Sequence, residues 1–461
     1  MTSAPKPTRA PRTTTVPRDT SAKSSIDLSK RDLTLDLARV FCVLLVVVIH
    51  LLLVGVGTNA RTGELVLSRP IEAQSWFAGV TWVGQIMPLF FVVGGFASMT
   101  AWRSLQRRGG DGPDYVKARI LRLAQPAFPL FVFYAVVLGA AMLITPMLGI
   151  GPELVDGIAI GAGSPLWFIA AYGICQALMP FLAGLHARAP KRTVLVMLVG
   201  VILVDVVRYS TGITQIGYLN MFLVWPLIQQ IGFFYADGWF DRRTWWQLVL
   251  ISLVGVAALA PLALPAGGYD TNMLANLNPP TLPLVALGFS QAAFLRLIKR
   301  PLTALMRTTG AKAVVFLVGT RLMTIYLWHL PVIIILAGIA LLIPGASPEP
   351  ASGTWWATRP IFYVVTLGVL FLLSLLVGRW EVPRELGKTP PTVFVVIASA
   401  LTIVPPFLII EYFLGFWLAA IGAIGFGIAI LMLGRWGLKA AEVIHLDDGD
   451  DHVVAERASV S

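Results

Sequence analysis

Long uncharged apolar runs alternate with short polar segments along the whole chain. A bilayer hydrocarbon core of about 30 Å is crossed by about 20 apolar residues in a helix, and a helix satisfies its own backbone hydrogen bonds in lipid. The pattern therefore predicts an all-α polytopic membrane protein with twelve spans. Their approximate limits are 35–55, 79–101, 127–149, 165–185, 193–209, 217–236, 245–264, 281–298, 319–343, 360–379, 391–412 and 415–434.

Composition and charge agree with this class of protein. Of the 461 residues, 57% are hydrophobic and 13% are charged, with a mean hydropathy of +0.78. The net charge of +11 does not indicate a nucleic-acid partner, because an excess of Lys and Arg in membrane proteins mainly marks cytoplasmic loops. Cys42 and Cys175 lie inside apolar runs, so we predict neither a disulfide framework nor a thiolate metal site.

The distribution of basic residues predicts the orientation. Twelve spans place both termini on one side, and the segments 103–122, 186–192, 241–243, 296–312 and 379–388 carry most of the basic loop residues on that side. The opposite loops carry few basic residues, among them Arg61, Arg69 and Arg208. We therefore expect a multi-pass protein of the plasma membrane with both termini in the cytoplasm.

Four regions follow from these patterns. Residues 1–31 are rich in Pro, Ser, Thr and basic side chains and predict a disordered basic cytoplasmic tail. Residues 32–380 form the predicted membrane core, 381–438 an additional C-terminal transmembrane hairpin, and 439–461 an acidic cytoplasmic tail. The chain has no P-loop, Rossmann glycine pattern or zinc-helix motif, which argues against an ATP-driven pump or a metalloprotease.

The first predicted span contains an acid, a guanidinium and an imidazole, in the stretch LDLARVFCVLLVVVIHLLL. Arg39 and His50 are eleven positions apart, which in a helix is about 20° beyond three full turns and a rise of about 16 Å. Asp36, one turn before Arg39, joins the same face. A charge in the bilayer centre costs about 2.5–3.5 kcal/mol on insertion scales, so such residues usually point into the protein.

This arrangement suits different chemical roles for His50 and Arg39. Imidazole suits proton transfer near neutral pH, so His50 can take a proton from a hydroxyl that attacks a carbonyl. Arg39 lies too far away to share that step and instead suits the phosphate or carbonyl of a long donor. The alternative is structural: Arg39 snorkels to headgroups with Asp36 as its ion-pair partner, and His50 makes a packing hydrogen bond.

Five stretches in order resemble the integral-membrane acyltransferase-3 family, which O-acylates cell-surface carbohydrates and some secondary metabolites. The first is the Arg39–His50 pattern. The others are MPLFFVVGGFA (87–97), YVKARILRLAQPAF (115–128), SPLWFIAAYGICQALMP (164–180) and TIYLWHLPV (324–332). The resemblance covers about residues 31–380. The GG pair of Gly94 and Gly95 stands where many relatives have Ser-Gly.

The resemblance implies a ten-helix core, acyl-CoA as co-substrate and transfer to a hydroxyl at the outer face. It implies His50 as catalytic base, with Arg39 supporting the donor. The expected acceptor is a carbohydrate, a glycolipid or a secondary metabolite, and we expect no bound cofactor or metal. Arg119 and Arg122 lie three apart on one helix face; they fit either the phosphates of coenzyme A or ordinary positive-inside topology.

Further candidates each have a structural alternative. His329 precedes Pro331, which leaves the Leu327 carbonyl without its helix partner, so the imidazole either binds substrate or satisfies that carbonyl. Trp167 either packs in the core or stacks on a sugar ring. Glu72 either orients His50, meets the acceptor or belongs to a solvated loop.

Two other functions, a carrier and a scaffold, also fit the sequence. Twelve spans with intramembrane Arg and His also suit a proton-coupled transporter or a lipid flippase, but the internal symmetry common in such carriers is not found. A scaffold that recruits lipid or partners through its basic tail is the third hypothesis.

Overall fold

The computed structural model describes residues 32–149, 151–263, 268–381 and 387–434. Both predicted tails, 1–31 and 439–461, lie outside these ranges. The helices run α1 (Leu33–Leu53), α2 (Phe77–Gly84), α3 (Met87–Arg107), α4 (Gly112–Ile144), α5 (Pro152–Gly163), α6 (Trp167–Arg188), α7 (Pro190–Thr211), α8 (Val224–Ala236), α9 (Trp245–Ala257), α10 (Leu259–Ala263), α11 (Leu282–Leu297), α12 (Lys299–Leu305), α13 (Thr309–Gly319), α14 (Leu322–Leu341), α15 (Gly353–Val377), α16 (Thr392–Tyr412) and α17 (Phe416–Gly434).

The predicted all-α polytopic class is confirmed. In the described part of the chain, eleven helical segments are long and apolar enough to cross a membrane. The bent pair α11 and α12, with an angle of 58° between them, would make a twelfth span. The strands β1 (Gly55–Thr58) and β2 (Leu65–Ser68) form a small antiparallel hairpin directly after α1.

Three local details differ from the sequence prediction. The predicted loop 296–312 is largely helical, because α12 and the start of α13 occupy it. The predicted span 79–101 is two helices, α2 and α3, separated at Gln85 and Ile86. The basic element before the third span lies inside α4, which begins early because Asp111 and Asp114 form a reciprocal capping box at its first turn.

Helix α1 is surrounded by neighbouring helices, some of which cross one another closely. Helix α1 packs against α3 and α14, and α3 crosses α8 at two glycines. A side chain added at Gly95 would overlap the Gln229 carbonyl oxygen, and one at Gly232 would overlap the Val92 carbonyl oxygen. Such small residues let helix backbones approach closely in a bilayer, where dispersion contacts hold helices together.

The C-terminal helices α16 and α17 form the expected hairpin and pack against α4 and α6. The ammonium of the buried Lys117 on α4 donates to the carbonyls of Gly387 and Lys388, each at 2.7 Å. The hydroxyl of Thr389 donates to Asp114 at the start of α4. The hairpin is thus held to the core by polar contacts as well as by packing; its separation as a domain at residue 381 stays a prediction.

The two ends of the helix bundle are named here after His50 and Arg39, and polar contacts join the segments at each end. The His50 end contains the C-terminus of α1, the β1–β2 hairpin and α2; Thr58 N–H donates to Ser347 O there, and Trp82 Nε1 donates to Thr271 O. The Arg39 end contains the N-terminus of α1, where Asp32 pairs with Lys299 at 2.8 Å.

Candidate functional site

His50 lies in the last turn of α1, half-buried, with one ring nitrogen committed to its own helix. Its Nδ1 is 2.9 Å from the Val46 carbonyl oxygen. A carbonyl only accepts, so this nitrogen carries the hydrogen and donates it. The neutral ring therefore keeps a lone pair on Nε2, the arrangement that a general base needs.

His329 on α14 meets His50 directly. The two ring centroids are 4.8 Å apart with an interplanar angle of 68°, an edge-to-face contact. His329 Nδ1 is 2.5 Å from the Tyr326 carbonyl oxygen, and its completely buried Nε2 has no hydrogen-bond partner among the described residues. Of the two alternatives for His329, a bond to the Leu327 carbonyl is replaced in the structure by a bond to the carbonyl one residue earlier.

An aromatic wall formed by Tyr326, Phe168 and Tyr172 leads away from this imidazole pair. The ring of His329 is 5.8 Å from Tyr326, which is 4.7 Å from Phe168, which in turn stacks on Tyr172 at 5.5 Å. The Tyr326 hydroxyl donates to the Pro165 carbonyl and fixes α14 against the start of α6. The wall is a continuous series of ring contacts that runs from the His50 end toward the Arg39 end.

At the far end of the aromatic wall, three arginines form a guanidinium cluster: Arg39, Arg119 and Arg122. Arg122 on α4 lies within electrostatic range of Arg119, Tyr172 and Arg39. Arg122 is thus close enough for its charge to interact with that of Arg119 on the same helix and with that of Arg39 on α1. Like charges repel, so an anionic ligand near the three guanidinium groups would be favoured.

Two neighbours shape the guanidinium cluster. Arg119 lies over the ring of Tyr115, with 5.1 Å from Cζ to the ring centroid, and the Tyr115 hydroxyl donates to Gln176. Glu381, also within range of Arg122, accepts hydrogen bonds from Thr324 and from the backbone of Met323 at the start of α14. Burial raises the pKa of the Glu381 carboxyl above its ordinary value, although those bonds oppose the change.

Three other candidate site residues form no ion pair or ring contact with the imidazole pair or the guanidinium cluster in the described part of the chain. Asp36 is half-buried, and no ion pair joins it to Arg39 in the described ranges; its neighbour Asp32 instead pairs with Lys299. Glu72 pairs with Arg69 at 3.1 Å rather than with His50. Trp167 is 7% exposed and stacks on Trp225 at 5.1 Å, which places it in an aromatic core.

The region also contains residues that sequence reasoning did not single out. Arg69, noted only as a loop charge, lies close enough to act electrostatically on the His50 ring. Tyr172 and Phe168 connect the imidazoles to the arginines, yet in the sequence they look like any aromatic residues of a span. The position of Tyr172, four residues after Phe168 on α6, is the one signal that could have placed them on a common face.

No candidate metal site of three or more His, Cys, Asp or Glu side chains occurs among the described residues. Among the clefts at the surface of the described residues, two are lined by charged or polar side chains. One is lined by Arg296, Lys299, Arg300 and Arg307, and the other by Arg208, Tyr209, Tyr269 and their neighbours. Neither lining includes His50 or His329.

Comparison with known proteins decides the family. A family model described as an acyltransferase domain matches residues 32–411. The chain belongs to this acyltransferase family. The acyltransferase match begins at the residue that caps α1 and ends within α16, so it contains the imidazole pair, the aromatic wall and the guanidinium cluster.

The membership confirms the resemblance found in the five motifs and shows a membrane acyltransferase, a transferase that does not act on aminoacyl groups. No curated protein and no solved structure matches this acyltransferase significantly. The roles of individual residues therefore stay predictions that rest on the geometry above.

Proposed function

We propose that this acyltransferase moves an acyl group, acetyl in the simplest case, from acyl-CoA to a hydroxyl of a cell-envelope carbohydrate or glycolipid. The observation that carries the proposal is the arrangement at the end of α1: His50 donates through Nδ1 to Val46 and keeps Nε2 free beside His329. The guanidinium cluster at the other end of the same helix face supplies the site for an anionic donor.

The chemistry assigned to His50 is general base catalysis. Its Nε2 removes the proton from the acceptor hydroxyl as the oxygen attacks the thioester carbonyl, and an ester C–O bond forms. The C–S bond then breaks, and the coenzyme A thiolate leaves and takes the proton back from the imidazolium. Atoms and charge balance without an added oxidant or metal.

The guanidinium cluster is proposed to hold the phosphates of acyl-CoA. Arg39, Arg119 and Arg122 provide fixed planar donors, which suit phosphate oxygens. The aromatic wall between the cluster and the imidazoles is apolar, so it suits the uncharged arm that carries the thioester. Asp36 is proposed to tune the charge at the entrance, and Glu72 to set the position of Arg69 above His50.

This function requires a specific orientation, which we propose is that predicted by the loop charges. The Arg39 end faces the cytoplasm, where acyl-CoA is available, and the His50 end faces the outer side of the plasma membrane. Fusions of a fluorescent protein and of a periplasmic phosphatase to residues 1 and 434 test the orientation. Fluorescence with an inactive phosphatase at both termini is expected, and the opposite result contradicts it.

Activity of the purified protein tests the reaction. In lipid nanodiscs with labelled acetyl-CoA and cell-envelope material from a strain that lacks the protein, the wild type is expected to transfer label to glycan or glycolipid. His50→Ala is expected to lose transfer by about 10²-fold or more, as removal of a general base does. Ile49→Ala, which truncates a side chain in the same turn, is the matched control.

The rival carrier function gives a different result in the same preparation. Movement of a ligand across proteoliposomes by a wild type that transfers no label would contradict the proposal. Normal transfer of label by the His50→Ala protein would contradict the role of His50.

A further inference from the structure

A polar cleft of about 330 Å³ lies at the His50 end, between the last turn of α7 and the loop 268–281. The lining side chains carry hydroxyl, amide, carboxylate and guanidinium groups, from Arg208, Tyr209, Tyr269, Asp270, Asn276 and Thr281. We call it the tyrosine cleft. It contrasts with the other cleft, whose charged lining is entirely basic.

Next to the tyrosine cleft, the buried acid Asp205 links α7 to the segments that form the cleft. Asp205 is 1% exposed and accepts three hydrogen bonds: from Tyr269 at 2.8 Å, from Asn220 at 2.8 Å and from the Leu282 backbone at 3.0 Å. An acid buried in a transmembrane helix is costly unless its oxygens are fully used. Here they fix the Tyr269 ring and the start of α11 relative to α7.

The loop itself is fixed by a second network. Asn276, which is 2% exposed, donates to the carbonyls of Asp270 and Asn272 and accepts from the Thr281 hydroxyl at 2.7 Å. A binding surface held in place by such bonds loses little entropy when a ligand arrives.

Two tyrosines provide the apolar part of the surface. The rings of Tyr209 and Tyr269 meet edge to face at 5.3 Å, and the Arg208 guanidinium lies 5.0 Å from the Tyr209 ring centroid. Tyr209 is 44% exposed, so part of its face is available to a ligand. A sugar ring matches this combination, because its C–H face packs on an aromatic ring while its hydroxyls bond to the Asp270 carboxylate and the Arg208 guanidinium.

The tyrosine cleft is connected to the region of His50. Trp82 Nε1 donates to Thr271 O at 2.8 Å, and the Met273 N–H donates to the Thr81 hydroxyl at 2.9 Å. Both contacts join the loop to α2, and the segment before α2 carries Arg69, which acts on His50. The cleft and the imidazole pair are therefore separate sites on one end of the bundle.

We propose that the tyrosine cleft binds a sugar ring of the acceptor glycan, distinct from the ring that is acylated. The inference rests on the proposed function and extends it, because two separate contact points require an acceptor of more than one sugar. Arg208 and Asp270 supply opposite charges, so a ring without net charge is favoured over a phosphorylated one.

The experiment compares Tyr209→Ala with Tyr412→Ala. Tyr412 is 71% exposed at the end of α16 and lines no part of the cleft, so it controls for loss of a surface tyrosine. In the nanodisc transfer assay, Tyr209→Ala is expected to raise the apparent KM for envelope acceptor about tenfold, the equivalent of about 1.4 kcal/mol, with the KM for acetyl-CoA unchanged. An unchanged acceptor KM, or an equal rise in the donor KM, overturns the inference.

A binding measurement keeps the inference testable whatever the donor proves to be. Oligosaccharides released from the envelope are titrated by calorimetry into nanodiscs that contain wild type, Tyr209→Ala or Tyr412→Ala. Weaker binding by Tyr209→Ala alone supports the cleft, even when acetyl-CoA gives no transfer and the proposed function fails. Equal binding by all three proteins, or none by the wild type, rejects it.

Discussion

The imidazoles of His50 and His329 touch edge to face at 4.8 Å, although one belongs to the first helix of the fold and the other to α14. Each ring donates through Nδ1 to a carbonyl of its own helix, so both Nε2 atoms are left for other partners. A buried nitrogen without a partner costs free energy, and a fold retains such a site most readily where a substrate supplies the missing bond.

His329→Phe is expected to lower kcat by about 10²-fold while the KM for acyl-CoA stays the same, because the second imidazole acts only where the proton moves. His329→Asn, which keeps a polar group of similar reach, is expected to recover part of the rate. The pH profile of kcat distinguishes this role from a packing role, since a residue that only packs would leave its midpoint in place. Trp328→Phe serves as the neighbouring control.

Arg122→Ala is expected to raise the KM for acyl-CoA about tenfold or more, since a charge-assisted bond to a phosphate is lost. Arg122→Lys is expected to recover only part of the affinity, because an ammonium lacks the planar pair of donors. Arg108, exposed beyond the end of α3, provides the control: Arg108→Ala should leave the donor KM unchanged. If Arg108→Ala has the same effect as Arg122→Ala, the basic face binds the donor without a specific site.

Substitutions at two adjacent glycines of α3 are expected to change the stability of the fold in opposite directions. A side chain at Gly94 meets only the Tyr172 ring at 3.7 Å, an ordinary contact, so Gly94→Ser should fold normally and gain slightly from lower backbone entropy in the unfolded chain. Gly95→Ala drives a methyl into the Gln229 carbonyl and should cost about 1–3 kcal/mol. Thermal unfolding in detergent measures both changes, and equal midpoints would contradict the crossing geometry of α3 and α8.

The contacts of Asp237, beyond the end of α8, predict that the folded protein becomes less stable at low pH. Partial burial raises the pKa of its carboxyl, but the hydrogen bonds from Arg103 at 2.5 Å and from His186 at 3.0 Å outweigh this and hold it below the ordinary value of 3.8. The stabilisation is therefore complete above that value and is lost as the pH falls through the lowered pKa.

Asp237→Asn is expected to cost about 1 kcal/mol at neutral pH, because the carboxylate is partly exposed. The difference from wild type should shrink as the pH falls below 3.8 and through the lowered pKa, because the carboxyl of the wild type then becomes uncharged as well. Unfolding midpoints measured between pH 7 and pH 3 test this. Asp156→Asn, on the exposed face of α5, is the control, and a difference that stays constant with pH would contradict the ion pair.

The sequence predicted the parts of this fold that depend on apolar runs and fixed helical spacing. The class, the spans and the common face of Arg39 and His50 follow from these alone. The contact between His50 and His329 did not, because it depends on how α1 and α14 pack across more than 270 residues of chain. The partner of Glu72 was also missed, although it is local: Arg69 lies three residues earlier, in the turn after β2.

The tyrosine cleft was invisible in the sequence for a related reason. Arg208 and Tyr209 end one apolar run, whereas Tyr269 and Asn276 lie in a loop whose composition resembles any turn. Their association depends on Asp205, which in the sequence is one acid within an otherwise apolar run.

The contact of Lys117 with the carbonyls of Gly387 and Lys388 has a consequence for biogenesis. The ammonium lies near the beginning of the third span, yet its two oxygen partners are synthesised 270 and 271 residues later. Until translation reaches that point, the nascent chain carries a cation whose final acceptors do not yet exist. A chain that ends after α15 would therefore lack both acceptors of this buried ammonium, and the first turns of α4 would be less stable in it than in the full-length protein.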